Sequence, residues 1–478
     1  MSKPSQLNRS LGLRYVIVVV VANIIGSGVY KKVAPMAAEL HSSGWVLMAW
    51  VLGGVITLFG ALSNAEVAGL LADTGGEFAY YKRIYNRFFA FIYGWSLFTV
   101  IQTAAISSIA YIFAQSLDSI VHFQALFPSL ADVNIAGVFY PFADFSVKLA
   151  AIFLIILLTI INTKGIKAGA WVSNAILTLV FIGIFTIILF GLGSKNAVIG
   201  QSFDLSTSNN AITISSFFTA MLAAFWAYQG WHSIGFIGGE IQDARRNLPR
   251  GIAIGVFMVI GIYLLVNATY LSLLPVSQLE QIYHSGNQVA AIEAVRGFWG
   301  DYGVLFISVL IMVTTLGCAN ATLLTGARPY YAMAREGLFF QNIGKLNKAQ
   351  VPANSLILQC IWACLLVLSG TFDQLTDMVV FAIFIYFGAT ALGVFILRKK
   401  MPHAHRPYKV WGYPFVPAIM ILFCVALVGN TFFTRPREAT LGVILMLTGI
   451  PMYWLFKKWN SPKKVGETMV EETAVPEQ

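Results

Sequence analysis

A stretch of about twenty apolar residues is long enough to cross a bilayer as a helix, and this chain carries twelve of them. They fall at 13–40, 44–71, 88–117, 146–163, 170–192, 212–240, 252–274, 302–326, 354–370, 375–397, 414–433 and 439–457. In hydrocarbon no water replaces a lost backbone hydrogen bond, so such segments are expected as helices. The expected fold class is therefore an all-α membrane protein with twelve transmembrane helices. With 58% hydrophobic and only 11% charged residues, the 478-residue chain is excluded from the soluble enzymes. A net charge of +10 invites a nucleic-acid reading. That reading fails because the cations sit in short loops between the spans. All but seven of the 31 Lys and Arg fall on one side if the N-terminus is cytoplasmic. The exceptions are Lys31, Lys32, Lys148, Lys195, Arg296, Arg435 and Arg437. This asymmetry sets both termini in the cytoplasm and implies an inner-membrane protein. The first apolar stretch is too long for the apolar region of a signal peptide, so it is expected to remain as a span.

Two of the twelve stretches are interrupted. The first reads Asn23-Ile24-Ile25-Gly26-Ser27-Gly28-Val29-Tyr30, and the second Trp226-Ala227-Tyr228-Gln229-Gly230-Trp231-His232-Ser233. Glycines around a serine make unwinding cheap. Unwound backbone at membrane depth is tolerated only where it lines a cavity or is buried in protein. The two breaks are expected to face each other and form a binding site.

The breaks fall in spans one and six, so five spans precede the restart of the pattern. Five is odd, and the second half must enter from the opposite side. That describes a five-plus-five inverted repeat over residues 13–192 and 193–397, with two further spans at 398–458 and cytoplasmic tails at 1–12 and 459–478. Substrate sites in such folds lie between the two broken helices. Free amides and the positive dipole end near Ser27 suit a carboxylate, and carbonyls released before the breaks suit an ammonium group. Together they match an α-amino acid. Trp226, Tyr228, Gln229, Trp231 and His232 are the nearest candidates for its side-chain pocket. None is acidic, which points to neutral amino acids, although Trp226 and Trp231 leave an aromatic cage for a cation open. His232 either bonds a backbone carbonyl or serves the substrate or a proton.

Other segments receive blander readings. Lys31 and Lys32 are expected to snorkel toward the outer interface, the alternative being a charged lining of the outer vestibule. Glu66 is expected to bond loop groups at the cytoplasmic end of span two rather than carry protons. Val289, Ile292, Val295, Phe298 and Trp299 recur at helical spacing and predict a short amphipathic outer helix that could act as a lid. Residues Ala327–Gly337 read as a basic amphipathic segment lying at the inner interface. Pro249 is expected in the first turn of span seven. Cys318, Cys360, Cys364 and Cys424 all fall within spans, and Cys360 and Cys364 read as core residues rather than a metal pair. Within the spans there is neither a nucleophile–base–orienter set nor a metal-ligand cluster, so an enzyme is not expected.

The motifs together resemble the amino acid–polyamine–organocation superfamily, and within it the L-type amino acid transporters. The matching residues are Ile25-Gly26-Ser27-Gly28-Val29-Tyr30, Gly60–Glu66, Gly75-Gly76-Glu77-Phe78-Ala79-Tyr80, Ala227-Tyr228-Gln229-Gly230-Trp231, Arg246-Asn247-Leu248-Pro249 and Arg335-Glu336-Gly337. The resemblance implies the leucine-transporter-type fold, with discontinuous helices one and six and alternating access. It implies that Gly26, Ser27 and Gly28 meet the substrate carboxylate, and that the carbonyls of Ile24, Trp226 and Gln229 meet its amine. It also implies that the Trp226 ring closes over the substrate from outside, with Trp231 shaping the pocket beside Ala227, Gly230 and His232. Where many relatives carry a lysine in span five, this chain has Val180. Coupling to Na+ through Ala22, Ile25, Thr314 and Thr315, coupling to H+, and ion-free exchange all stay open, and no other cofactor is implied. Gln229 replaces a usual glycine and narrows the pocket, while His232 stands where relatives often have asparagine. Animal relatives pair with a glycoprotein through an outer-loop cysteine. Residues 118–145 contain none, so no disulfide-linked ancillary subunit is expected. The implied activity is secondary transport of neutral L-amino acids. The alternatives are a cationic amino acid or polyamine antiporter, and a sensor on the same scaffold.

Overall fold

The computed structural model describes residues 11–71, 76–135, 139–164, 170–207, 212–286, 288–349 and 351–459, with backbone only for 170–177 and 236–240. Of the expected tails, residues 1–10 and 460–478 lie outside the described residues, as does Gly75. The described elements are helical. In chain order they are α1 (Leu13–Ile24), α2 (Gly28–Lys31), α3 (Val33–Leu40), α4 (Ser43–Leu70), α5 (Glu77–Ile84), α6 (Arg87–Ser96), α7 (Gln102–Val121), α8 (Phe145–Thr163) and α9 (Ala170–Leu192). They continue with α10 (Ile214–Tyr228), α11 (Ala244–Leu273), α12 (Val276–Ser285), α13 (Ala290–Arg335), α14 (Ala353–Ser369), α15 (Phe372–Lys400), α16 (Phe415–Thr434), α17 (Pro436–Leu447) and α18 (Gly449–Trp459).

Eight helices among the described residues are long and apolar enough to cross a membrane: α4, the continuous α6–α7, α8, α11, α13, α15, α16 and the paired α17–α18. Leu13–Ile24, Thr178–Leu192 and Ala353–Ser369 are shorter apolar helices. Large apolar side chains such as Phe153, Phe185, Phe257 and Val425 stand exposed on the bundle, as a lipid-facing surface requires. The chain is a multi-pass membrane protein.

Both expected interruptions are present. Ile25 leaves the helical region at φ −72°, ψ 96°, and helix resumes at Gly28. On the other strand of the site, Gln229 is extended at ψ 154° and Gly230 takes φ +118°, a conformation that only glycine adopts freely. Beyond it Trp231–Glu240 winds as a 3₁₀ helix, tighter than the α-helix expected there.

Three readings change. Lys31 and Lys32 do not snorkel: they are only 5% and 1% exposed, because polar partners from distant helices enclose them. Beyond the kink at Gly300, α13 runs without interruption to Arg335, so 327–335 is not a separate interfacial segment. Tyr330 and Met333 bury on its inner face, and the Tyr330 hydroxyl reaches the carbonyl of Leu97 at 3.2 Å. The outer amphipathic helix is present as expected, over residues 290–299 of α13, set off from the span by a kink at Gly300 with φ 59°. α11 begins at Ala244, because the Asp243 carbonyl already accepts from the amides of Arg246 and Asn247. Pro249 therefore lies in the second turn, packed with the carbonyl of Arg245 against Gly69.

Glu66 behaves as read. It is 3% exposed and accepts from Arg398 Nε at 2.9 Å, Arg398 Nη2 at 2.7 Å and the Val410 amide at 2.7 Å, with Arg406 Nε at 3.4 Å. This network ties the C-terminal end of α4 to α15 and the loop after it.

Candidate functional site

The two breaks pass each other in opposite directions at van der Waals distance. A Cβ on Gly28 would stand 2.5 Å from Ala227 Cα, and one on Gly230 would stand 2.2 Å from the Asn23 carbonyl oxygen. Asn23 thus lies against Gly230 and Gly28 against Ala227. Glycine occupies both crossing points because no side chain fits there. Tyr263 of α11 closes the joint. Its buried hydroxyl lies 2.9 Å from the Ile24 carbonyl oxygen and 3.0 Å from that of Ala227, so one donor serves the carbonyls that both breaks release.

Beside this joint lies a cavity of about 60 Å³. The first break contributes Asn23, Ile24, Gly26, Ser27 and Gly28, and the second Trp226, Gln229, Gly230, His232 and Ser233. Ile101, Gln102, Ala105 and Ile109 line it from the third span, and Cys318, Thr322 and Thr325 from α13. No acidic or basic side chain other than the His232 imidazole lines it among the described residues. At roughly 10–15 Å³ per water-sized occupant, it accepts about four to six of them.

Eight of the ten expected substrate residues meet in this cavity. Trp231 and Ala227 do not. The turn at Gly230 sends the Trp231 ring away, to stack on Phe387 with centroids 4.9 Å apart, and it lines a separate small void with Thr57 and Met420. Ala227 is spent in the crossing contact with Gly28. The Trp226 ring lies over Ser27, its Nε1–H directed at Ser27 Oγ at 3.3 Å, and its outer edge meets the Phe372 ring at 6.1 Å. His232 is 3% exposed and packs edge-on to Trp231 and Phe387.

The residues expected to hold sodium are otherwise engaged. Thr314 Oγ1 donates to the Leu310 carbonyl at 2.7 Å and lies 3.2 Å from Tyr30 Oη, and Thr315 Oγ1 turns back onto the Ile311 carbonyl at 2.7 Å. Ile25 is buried and Ala22 half-buried on α1. Each hydroxyl spends its proton on a backbone carbonyl and keeps the oxygen lone pairs that a cation takes.

Sequence reasoning missed the third span's contribution. Residues Leu97–Ile101 form a π-helical turn within α6–α7, marked by Thr103 Oγ1 reaching the Phe98 carbonyl five residues back at 2.7 Å. The turn places Ile101 and Gln102 in the cavity wall, and Gln102 Nε2 bonds the Thr322 carbonyl at 2.9 Å. The segment contains neither Gly nor Pro. Its one visible signal is a glutamine in the middle of an apolar span. Cys318 and Tyr263 carry a similar weak signal, a polar atom inside a span with no stated partner.

Helices broken at depth beside a mostly uncharged cavity define a membrane carrier. The chain belongs to the amino acid permease family, whose model matches residues 11–456. It is similar to the serine/threonine exchanger SteT of Bacillus subtilis, at 29% identity over 455 residues, covering 95% of this chain and 98% of that one. The b(0,+)-type amino acid transporter 1 of Homo sapiens is 26% identical over 492 residues, covering 100% and 95%. The human large neutral amino acids transporter small subunit 2 is 27% identical over 475 residues, covering 97% and 83%. The family and these relatives are transporters, not enzymes.

Proposed function

We propose that the protein exchanges small neutral L-amino acids across the cell membrane by alternating access, with both termini cytoplasmic. The observation that carries this reading is the cavity of about 60 Å³ at the crossing of the two breaks, lined by their backbone, by neutral polar groups and by apolar side chains of the third span. The substrate carboxylate would meet Ser27 Oγ and the amides of Ser27 and Gly28. Its amine would meet the carbonyls around Trp226 and Gln229, with the Ile24 carbonyl shared with Tyr263. A side chain no larger than that of serine or threonine would lie toward Gln102, His232, Thr322 and Cys318. That SteT is named a serine/threonine exchanger supports serine and threonine as substrates. The antiparallel crossing of the breaks supports a five-plus-five inverted repeat within twelve spans, in which one repeat rocks against the other around a fixed site.

The naming of SteT as an exchanger supports exchange, and the apolar Val180, only 2% exposed, offers no titratable group for proton symport at that position. The lack of a carboxylate on the cavity wall disfavours cationic amino acids and polyamines. We read the four cysteines, all within helices, as core residues and the protein as working without a disulfide-linked subunit.

A thermal-shift screen of the purified protein tests this. Serine, alanine or threonine at a hundred times its Kd stabilises by about 2.7 kcal/mol, equally with sodium or choline. Stabilisation by arginine or tryptophan alone would contradict the reading.

A further inference from the structure

A second, larger cavity of about 370 Å³ lies on the outer side, walled by α2, α7, α12, α15 and the turn between α16 and α17. Its floor is the Phe372 ring, whose far edge meets Trp226, so two aromatic rings separate it from the inner cavity. Charges of both signs line it, and most are paired. Lys32 bonds Asp373 at 2.6 Å and Thr376 at 2.6 Å, Arg435 reaches Glu39 at 2.7 Å and Asp377 at 3.4 Å, and Arg437 lies 3.1 Å from Glu438.

Lys31 is the exception. It is 5% exposed, and its ammonium donates to two neutral acceptors, Gln115 Oε1 at 2.7 Å and the Gly286 carbonyl at 3.2 Å. No carboxylate among the described residues lies within contact distance of it, and Asp373 and Asp144 act on it only from further away. Beyond these two acceptors the ammonium lies over the Phe372 ring, 5.3 Å from its centroid, a cation–π contact that does not neutralise it. A buried charge without a counter-ion costs several kcal/mol. The Lys31 side chain is held against the outer cavity by a glutamine and a backbone carbonyl that orient it without neutralising it.

We infer that the outer cavity is a second amino acid site, in which Lys31 takes the carboxylate of an incoming substrate before Phe372 and Trp226 give way. Asp377 and Glu438 on the same wall retain free lone pairs for its ammonium group. By the same water-sized measure, the cavity holds about 25 or more occupants, so it does not select by size as the inner one does. It admits amino acids that the inner site rejects. The inference rests on the amino acid reading above.

The test is equilibrium binding of radiolabelled L-serine to the full-length protein in nanodiscs, in gluconate buffer. Wild type is expected to bind two serines per chain, one tightly and one weakly. Lys31→Gln and Lys31→Met lose the weak class and keep the tight one, while Lys31→Arg keeps both and shows that charge and not packing is read. Gly28→Val loses the tight class and keeps the weak one. Replacing gluconate by chloride weakens the Lys31-dependent class by competition. A stoichiometry of one in wild type, in gluconate and chloride alike, or two classes surviving in Lys31→Gln, would overturn the outer site and leave the transport reading standing. Absence of any amino acid binding to wild type would overturn both.

Discussion

Gly28→Ala tests the crossing of the breaks with one methyl group. Its Cβ would stand 2.5 Å from Ala227 Cα and 2.6 Å from Ala227 Cβ. Carbon atoms settle at about 3.5–4.0 Å, so the two segments must part by about 1 Å. Neither side can yield by rotating a side chain, since the contact is backbone against a methyl group. Overpacking of this kind costs about 1–3 kcal/mol. If the strain falls on the bound state, affinity drops about fivefold to 150-fold. The same substitution at Gly261 meets nothing within 4 Å and serves as the control. The assay is L-serine Kd by titration alongside homoexchange in proteoliposomes. Gly28→Ala should bind and exchange far more weakly than wild type while eluting as a folded monodisperse protein, and Gly261→Ala should match wild type. Unchanged affinity and exchange in Gly28→Ala would refute the claim that the substrate sits at this crossing.

Ser27→Ala removes the hydroxyl assigned to the substrate carboxylate and should weaken serine binding by about 1.5–3 kcal/mol, measured by titration, with little change in melting, since its one side-chain partner is Trp226 at 3.3 Å. Tyr263→Phe strands the Ile24 and Ala227 carbonyls and should lower thermal stability in detergent by the equivalent of about 1–3 kcal/mol. A melting curve identical to wild type would show that the tyrosine does not hold the joint. Glu66→Met leaves Arg398 and Arg406 facing a buried gap and should cost about 3–5 kcal/mol, whereas Glu66→Met with Arg398→Met should cost less than the two single changes added together. Strict additivity in a thermal or denaturant melt would count against the network.

What the sequence revealed, and what it hid, follows from how far apart the partners lie. Gly26, Ser27, Gly28 and Gly230 advertise the breaks locally, because few other residues unwind a helix in lipid. Their pairing was legible from the count of spans between them. The burial of Lys32 was not, because Asp373 lies 341 residues away. The π-helical turn at Leu97–Ile101 was hidden for a different reason: it needs no special residue, only neighbours such as Tyr330 to satisfy its displaced carbonyl. Trp231 was misplaced because a glycine at φ +118° redirects the chain by an amount that sequence does not specify.

The most direct test of the account is counterflow. Proteoliposomes loaded with unlabelled L-serine, placed in sodium-free medium, should accumulate external radiolabelled L-serine, and empty vesicles should not. Replacing choline by sodium should leave the rate unchanged. Accumulation in empty vesicles driven by a sodium or proton gradient, or none for any amino acid inside or out, would contradict it.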